Sequence, residues 1–232
     1  MELSTRALNY LARAEYREAV TDEAKIRAAF NRAGAEPSTE LLRFQRQYGG
    51  FTFYVWKEPI VFGLLHPGEC RGDFKNHPNE LIIEEADEIT DFDRYVCADT
   101  LYQETFSLSA NGNYYEGSDL FCRAFDTIIE DYAMCEIINN DKNLRRIFEY
   151  EEPDATDTSE EFEQLIAKFN DKFTAFRREF NFTALDGYWD DVLGWYKSAD
   201  GILVRRTNIK VHVLAEKENS EYSTAWEDFW DN

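Results

Sequence analysis

Carboxylates beside aromatic side chains are one arrangement that binds and hydrolyses carbohydrate, and the segment DGYWDD offers it most clearly. It places Asp186, Asp190 and Asp191 around Tyr188 and Trp189. One carboxyl group of such a pair protonates the leaving oxygen while the other acts as base or nucleophile. Because the chain has 46 acidic residues, neighbouring carboxylates are not specific to catalysis. We therefore favour a structural interpretation, in which the two rings pack on a phenylalanine-rich helix and the acids face water, over a carbohydrate-acting hydrolase.

Histidine and cysteine residues suggest a metal site in one loop. His66 and Cys70 lie four residues apart in HPGEC, and His77 follows. Zinc takes four such ligands in a tetrahedral arrangement, so the set would need the distant Cys97 or Cys122. The spacing does not favour that completion, and we predict no metal site.

Other chemistries lack a local signature. Nucleophilic catalysis needs a cysteine or serine beside a base, and the third histidine, His212, lies in an alternating segment where an exposed strand residue is expected. The phosphate-binding patterns GxxxxGKS/T and GxGxxG and the hydrolase pattern GxSxG do not occur in the sequence. We therefore predict no catalytic residues, no cofactor and no enzymatic activity.

The chain is strongly acidic, with 25 basic and 46 acidic residues and a net charge of −21. Such a field repels nucleic acid and anionic membranes and attracts basic proteins. We predict a basic protein partner, no nucleic acid and no membrane, although acidity also promotes solubility. Basic residues cluster in three pairs, each expected to be a solvated helix end or strand edge: Arg145-Arg146, Arg177-Arg178 and Arg205-Arg206.

The cysteines and the first residues predict a cytoplasmic protein. Four cysteines at irregular spacing do not form a disulfide framework and are expected to be mostly buried thiols. The first twenty residues mix acids with arginines and lack the apolar core of a signal peptide. No run approaches the roughly 18 apolar residues of a membrane span.

The segment Leu41–Trp56 is the one around which the first half of the chain is organised. An amphipathic helix with Ser38 as N-cap stops at Gly49-Gly50, and the aromatic strand 51–57 follows at once. We expect a positive φ at these glycines, so that valine at either would destabilise the fold.

Helical and alternating patterns place the other elements. Helices are predicted over residues 3–20, from Thr21 or Asp22 to Gly34, and for about two dozen residues from Ser118. The dipeptide Asn111-Gly112 predicts a hairpin after the alternating strand 105–110. Further strands are predicted over 59–65, 80–88 and 95–98.

Residues 149–158 are acidic, contain a proline and form the predicted domain boundary. A capping box of Thr158 and Glu161 opens the phenylalanine-rich helix, and strands flank Asp200-Gly201. The order of elements predicts an α+β fold with an antiparallel sheet flanked by helices. We assign residues 1–148 to this domain and 149–232 to a helix-plus-hairpin extension, which either packs on the same core or forms an appended module.

Residues 36–65 resemble the opening of the SMI1/KNR4 family, also called the SUKH superfamily. Pro37, Phe44, Tyr48 and Gly49-Gly50 precede the aromatic strand, as in the family pattern. A second match runs from Val96-Cys-Ala-Asp99 to the hairpin at Asn111-Gly112, and together the matches span about residues 20–140. The family's usual Leu-Pro is Glu36-Pro37 here, and residues 150–232 have no counterpart.

The resemblance implies an α+β scaffold without enzymatic activity. Most bacterial members of the family are immunity proteins that neutralise polymorphic toxins, many of them nucleases, and a eukaryotic branch provides regulatory scaffolds. The implied function is therefore a binding module for a basic toxin domain, with a regulatory scaffold as the alternative. Gly49, Gly50, Asn111 and Gly112 carry over only as structural positions.

Overall fold

The computed structural model of the chain has an α+β architecture with antiparallel sheets, which confirms the predicted fold class. It describes residues 2–54, 59–86, 90–153, 158–216 and 220–231. The chain forms two compact units: one is Leu8–Phe125, and the other joins Met1–Ala7 to Asp126–Asn232. We call them the continuous unit and the split unit.

The described helices are α1 (Thr5–Leu11), α2 (Glu23–Arg32), α3 (Thr39–Tyr48), α4 (Phe125–Asn140), α5 (Ser159–Glu179) and α6 (Ser220–Asp231), with a 3-10 turn at Gly72–Asn76. The described strands are β1 (Glu15–Tyr16), β2 (Phe51–Phe53), β3 (Ile60–Phe62), β4 (Ile83–Glu84), β5 (Arg94–Val96), β6 (Ala98–Asp99), β7 (Phe106–Ser109), β8 (Tyr114–Glu116), β9 (Asp119–Cys122), β10 (Arg145–Glu151), β11 (Thr183–Ala184), β12 (Leu193–Lys197), β13 (Leu203–Thr207) and β14 (Lys210–Ala215).

The expected boundary lies between residues 148 and 149, but the two units do not divide there. Strand β10 runs across that position and pairs antiparallel with β14, where Tyr150 lies opposite Val211. Acidic composition favours a linker, yet the exposed Glu149 and Glu151 alternate with partly buried Phe148 and Tyr150, which is a strand pattern. Residues 154–157 of the expected linker lie outside the described residues.

The continuous unit contains two antiparallel sheets, with strand orders β1-β2-β3-β6 and β4-β5-β7-β8-β9. Helix α3 begins as predicted at Ser38, whose side chain accepts a hydrogen bond from Leu41 N at 3.2 Å. Phe44 and Tyr48 of α3 pack on Phe125, with ring centroids 4.7 and 4.9 Å apart. These ring contacts fix α3 on the core of the unit.

A left-handed residue links α3 to β2. Gly50 has a φ of 91°, and a Cβ there would overlap the carbonyl oxygen of Arg17. Gly49 departs from the expectation, because its φ is −57°. A Cβ at Gly49 would instead overlap the backbone oxygen of Gln45. Backbone conformation therefore requires glycine at Gly50, and lack of space disfavours a side chain at Gly49.

Alanine at Gly50 is expected to lower the free energy of unfolding by about 2–3 kcal/mol, since strain at positive φ adds to the overlap with Arg17. Gly34 is the matched control, because its φ is 77° and open space surrounds the position of a Cβ. Alanine there should cost about 1 kcal/mol. Urea unfolding followed by circular dichroism measures both losses. Equal losses would contradict a role for the Arg17 contact.

The hairpin predicted at Asn111-Gly112 is present with a longer loop than the two-residue type. Ser109 N donates to Asn113 O, and Gly112 N donates to Ser109 O, each at 2.9 Å. Within the predicted dipeptide, Gly112 alone has a positive φ, of 84°. The loop is therefore a three-residue turn closed by a left-handed glycine.

Two predicted helices differ in extent from the observed ones. The first ends at Leu11 rather than near residue 20, because Glu15–Tyr16 pairs with β2 as strand β1. The helix expected from Ser118 begins at Phe125, because Asp119–Cys122 forms β9 against β8. In β9 the buried residues alternate with more exposed ones, a period of two rather than 3.6.

Two predicted strands extend beyond the described residues. The strand predicted over 51–57 is observed as β2, and the strand predicted over 80–88 is observed as β4. Residues 55–58 and 87–89 lie outside the described part of the chain. Strand β3 lies within the predicted 59–65. The predicted 95–98 divides into β5 and β6, which belong to different sheets.

The split unit contains one five-stranded antiparallel sheet in the order β10-β14-β13-β12-β11. Neighbouring residues of a strand face opposite sides, so Trp195 and Tyr196 of β12 mark the two faces. Trp195 shares a buried cluster with Met134 of α4. Tyr196 packs edge-on against Phe173 of α5, with centroids 5.1 Å apart. Helix α4 therefore covers one face of the sheet and α5 the other.

Candidate protein-binding site

Asp190 and Asp191 of the DGYWDD segment accept hydrogen bonds from groups of the split unit. Asp190 Oδ1 accepts hydrogen bonds from the backbone N–H groups of residues 192 and 193, both at 2.8 Å. Its Oδ2 accepts one from Thr127 Oγ1 at 3.3 Å. Asp191 Oδ2 accepts one from Asn170 Nδ2 at 3.4 Å. The structure thus uses Asp190 to shape the turn that leads into β12.

Trp189 of this segment does not pack as expected on the phenylalanine-rich helix. Trp189 instead contacts the buried cluster between the sheet and α4, and its Nε1 donates to Leu185 O at 2.9 Å. Asp186 is exposed, and its backbone oxygen accepts a hydrogen bond from Arg6 Nη2 at 2.8 Å. The Arg6 guanidinium also lies 5.8 Å from the Trp189 ring centroid. The segment is therefore tied to the N-terminal residues.

Replacing Asp190 with alanine is expected to lower the free energy of unfolding by about 2 kcal/mol, because it leaves the N–H groups of the turn without their acceptor. Asp186 is the control in the same segment, since its side chain is exposed, and alanine there should change stability by less than about 0.5 kcal/mol. Urea unfolding of both variants measures the difference. Similar losses at the two positions would contradict the turn-forming role of Asp190.

The residues of the expected histidine–cysteine loop point to different partners. His66 is buried, and its Nε2 donates to Gly63 O at 2.7 Å. Cys70 Sγ donates to the carbonyl of Gly68 at 3.4 Å, and burial raises the pKa of this thiol. The exposed His77 pairs with Glu80, with Nδ1 and Oε2 2.8 Å apart. The four cysteines are free, and Cys97 and Cys122 are buried as expected.

Glu130 of α4 is a buried carboxylate that the sequence analysis did not single out. It accepts hydrogen bonds from Ser4 N and Ser4 Oγ, both at 2.6 Å, and from Arg6 Nη2 at 2.9 Å. The backbone of Gly187 approaches it so closely that a Cβ there would lie 2.9 Å from Glu130 Oε2. Three donors satisfy the buried charge, so Glu130 serves to hold the N-terminal residues on the split unit.

Asp131, the next residue, forms a second buried charge network. It accepts hydrogen bonds from Arg205 Nε and Nη2 at 2.8 and 2.6 Å, and from Trp195 Nε1 at 2.7 Å. Arg206 is 1% exposed and lies 5.4 Å from the Phe169 ring centroid. Arg206 is therefore part of the core of the split unit and Arg205 is partly buried in the Asp131 network, where the expectation for the pair was a solvated strand edge.

An open cleft of about 790 Å³ lies between α5 and α6. On each helix its lining residues recur at intervals of three and four, which places them on one face of that helix. Glu152, just after β10, also contributes. The lining residues are Glu152, Leu165, Lys168, Phe169, Lys172, Glu179, Ala225, Asp228 and Phe229.

Ring contacts define the direction of the cleft. Trp226, in the middle of α6, lies 6.3 Å from Phe180, which follows the last residue of α5. Trp230, near the end of α6, lies 5.5 Å from Phe169 in the middle of α5. The two helices therefore run antiparallel. From Leu165 to Glu179 the α5 side of the cleft spans about 21 Å, at a rise of 1.5 Å per residue.

The rings beside the cleft already accommodate a cation. Lys172 Nζ lies 5.3 Å from the Trp230 ring centroid and 5.6 Å from that of Tyr150, and it donates to Trp230 O at 2.8 Å. The Tyr150 and Trp230 rings are stacked at 4.4 Å. Contacts between a cation and ring faces are worth about 1 kcal/mol each. Lys172 therefore occupies the ring faces beside the cleft, and the partly exposed ring in the lining itself is that of Phe229.

Carboxylates contributed by three elements border the cleft. Glu179 and Asp228 are exposed, while Glu152 is partly buried and accepts a hydrogen bond from Tyr150 Oη at 2.6 Å. These three acids outnumber the two lysines in the lining, Lys168 and Lys172. The cleft is thus negative on a chain whose net charge is −21. Aromatic surface bordered by carboxylates can bind a positively charged protein segment.

Sequence reasoning found one wall of this cleft and missed the other. The helical spacing of the phenylalanines predicted α5, and Thr158 Oγ1 accepts from Glu161 N at 3.3 Å as the capping box requires. Helix α6 was not predicted. Its signal was present, since Trp226, Phe229 and Trp230 are spaced at i, i+3 and i+4.

No protein-family model, curated protein or solved structure matches the chain. Among the described helices, none combines the length and the apolar character needed to cross a membrane. Within the same residues, no three histidine, cysteine, aspartate or glutamate side chains come together as a metal-binding group. The charge and geometry of the chain itself are thus the basis for assigning a function.

Proposed function

We propose that the chain is a non-enzymatic, acidic protein-binding module that occludes a basic toxin domain, in the manner of an immunity protein. The observation that carries the proposal is the cleft between α5 and α6, in which aromatic side chains are bordered by carboxylates on a chain of net charge −21. A few buried side chains, among which tryptophan, tyrosine and arginine are enriched, supply most of the binding energy at protein interfaces. Surrounding charges raise the association rate and select the partner.

A nuclease toxin is the partner that this charge suits best. Enzymes that act on nucleic acid bind phosphates with lysine and arginine, so their active clefts are positive. An acidic module is steered toward such a cleft and competes there with the substrate. The resemblance of residues 36–65 to the SMI1/KNR4 family supports the same function. The turn-forming hydrogen bonds of Asp190 support a structural role for the DGYWDD segment.

Isothermal titration calorimetry at low salt tests the proposal, with the toxin domain encoded beside the gene as the titrant. We expect a one-to-one complex whose affinity falls as salt is raised, because the attraction between the charged surfaces is screened. Absence of binding at low salt would contradict the proposal.

Co-expression separates an immunity function from a regulatory scaffold. The protein should protect cells that produce the neighbouring toxin, while an unrelated protein of similar net charge should not. Binding without protection would instead favour the scaffold alternative.

A further inference from the structure

We infer that the cleft between α5 and α6 receives an arginine-bearing segment of the basic partner, a step that rests on the proposed function. The guanidinium groups would lie against the carboxylates of Glu152, Glu179 and Asp228. Apolar neighbours in the segment would contact the ring of Phe229 and the side chain of Leu165, which also line the cleft.

The shape of the cleft suits a short extended segment. Its α5 side spans about 21 Å, which corresponds to about six residues at 3.3 Å each. Glu152 follows β10, Glu179 ends α5 and Asp228 lies in α6, so the carboxylates come from separate elements and surround the cleft. A segment with several cations can therefore pair with more than one of them.

Arginine fits this surface better than lysine. A guanidinium is planar, stacks on aromatic rings and binds a carboxylate through two parallel hydrogen bonds. The ammonium of Lys172 already occupies the ring faces of Tyr150 and Trp230. An incoming cation therefore meets the remaining ring surface and the carboxylates, where the flat guanidinium makes the larger contact.

Charge also selects among the occupants. A second copy of this chain would bring another net charge of −21 to the same surface, and like charges oppose such association. A basic protein gains both the ring contacts and the attraction. We therefore assign the cleft to a basic partner rather than to self-association.

The probe is a fluorescein-labelled peptide of about eight residues in which arginine and leucine alternate. Fluorescence anisotropy at low salt measures its binding to the full chain. The control peptide has citrulline, the neutral isostere, in place of each arginine. We expect the arginine peptide to bind at least about tenfold more tightly, a difference of 1.4 kcal/mol. Equal binding of the two peptides would overturn the inference.

A matched pair of triple variants locates the site. The cleft variant carries Glu152→Gln, Glu179→Gln and Asp228→Asn, and should weaken arginine-peptide binding about tenfold. The control variant neutralises three exposed acids elsewhere, at Glu2, Glu85 and Glu104, each replaced by Gln. It removes the same net charge, but these three acids do not line the cleft, so binding should change by less than about twofold. Equal weakening by both variants would mean that net charge alone drives binding, and would overturn the inference.

A variant that is expected to tighten binding distinguishes a change at the cleft from loss of folding. Lys168 is exposed and lines the cleft, so Lys168→Glu should tighten arginine-peptide binding by about threefold or more. Damage to the fold cannot produce that result. Unchanged or weaker peptide binding would overturn the inference. So would sedimentation that shows self-association of a protein that no longer binds the peptide.

The calorimetry with the toxin domain distinguishes the two levels of failure. If the wild-type chain binds the toxin but the cleft and control variants bind it equally well, the cleft assignment fails and the proposed function stands. If the wild-type chain does not bind the toxin, the proposed function itself fails, whatever the peptide does.

Discussion

Replacing Asp131 with alanine is expected to lower the free energy of unfolding by about 3–5 kcal/mol, the loss typical of breaking a buried ion pair from one side. The Asp131 side chain is 1% exposed. Its removal leaves the guanidinium of Arg205 without its carboxylate and the indole N–H of Trp195 without its acceptor. The loss reflects these buried, unsatisfied donors more than the attraction between the charges. Urea unfolding followed by circular dichroism measures it.

An exposed ion pair is the control for this prediction. Glu23 pairs with Arg27 and Arg46, and all three side chains are at least 44% exposed. Alanine at Glu23 should lower stability by less than about 1 kcal/mol, because water solvates the remaining arginines. Asp131→Asn keeps the shape and one acceptor oxygen, so its loss should fall between the two. A loss at Asp131 no larger than that at Glu23 would show that the network is hydrated in solution.

Stability is expected to fall between about pH 6.5 and pH 4 because of His66. Burial, followed by the positive charge of Arg17, lowers the pKa of His66 from 6.5 to about 4, against the hydrogen bond to Gly63. In this window the unfolded chain binds a proton that the folded chain excludes. The stabilisation is therefore complete above about pH 6.5 and is lost as the pH falls to 4, by about 3 kcal/mol.

His66→Gln removes this titration, so the experiment compares unfolding free energies of wild type and variant across the same pH window. The difference between the two should change by about 3 kcal/mol in favour of the variant as the pH falls from about 7 to 4. The carboxylates titrate in both proteins, so their contributions cancel in the difference between the two unfolding free energies. His77→Gln is the control, because His77 is exposed. A His66 difference that stays constant with pH would refute the assignment.

The sequence predicts elements well where periodicity and local chemistry agree. Ser38 as N-cap, the buried stripe of α3 and the phenylalanines of α5 follow from spacing alone. It misses elements whose composition misleads. The acids of β10 suggest a linker. Strand β9 lies directly before α4, so the stretch from Ser118 onward is predicted as a single helix. For β10 the deciding partner is β14, which lies far along the chain, and no local pattern carries that information. For β9 the partner is the neighbouring strand β8, so a local hairpin decides.

The candidate site shows the same limit. The aromatic and acidic residue types that line the cleft are visible in the sequence, but its walls come from α5, which ends at Glu179, and from α6, which begins 41 positions later at Ser220. Glu130 and Asp131 are likewise two of 46 acids until their donors are known. Conversely, DGYWDD is the most suggestive segment by residue type, and the structure engages Asp190 in a turn.

The attachment of Ser4 to Glu130 has a consequence for the order in which the chain folds during synthesis. The two residues are 126 positions apart, so the ribosome makes the donors long before the carboxylate that they bind. Residues 8–125 emerge in between and carry their own core, so they can fold while the split unit is still incomplete. A fragment that starts at residue 126 lacks Ser4 and Arg6 and leaves the charge of Glu130 without its donors. Ser4 and Arg6 thus complete a unit whose residues from 126 onward are made much later.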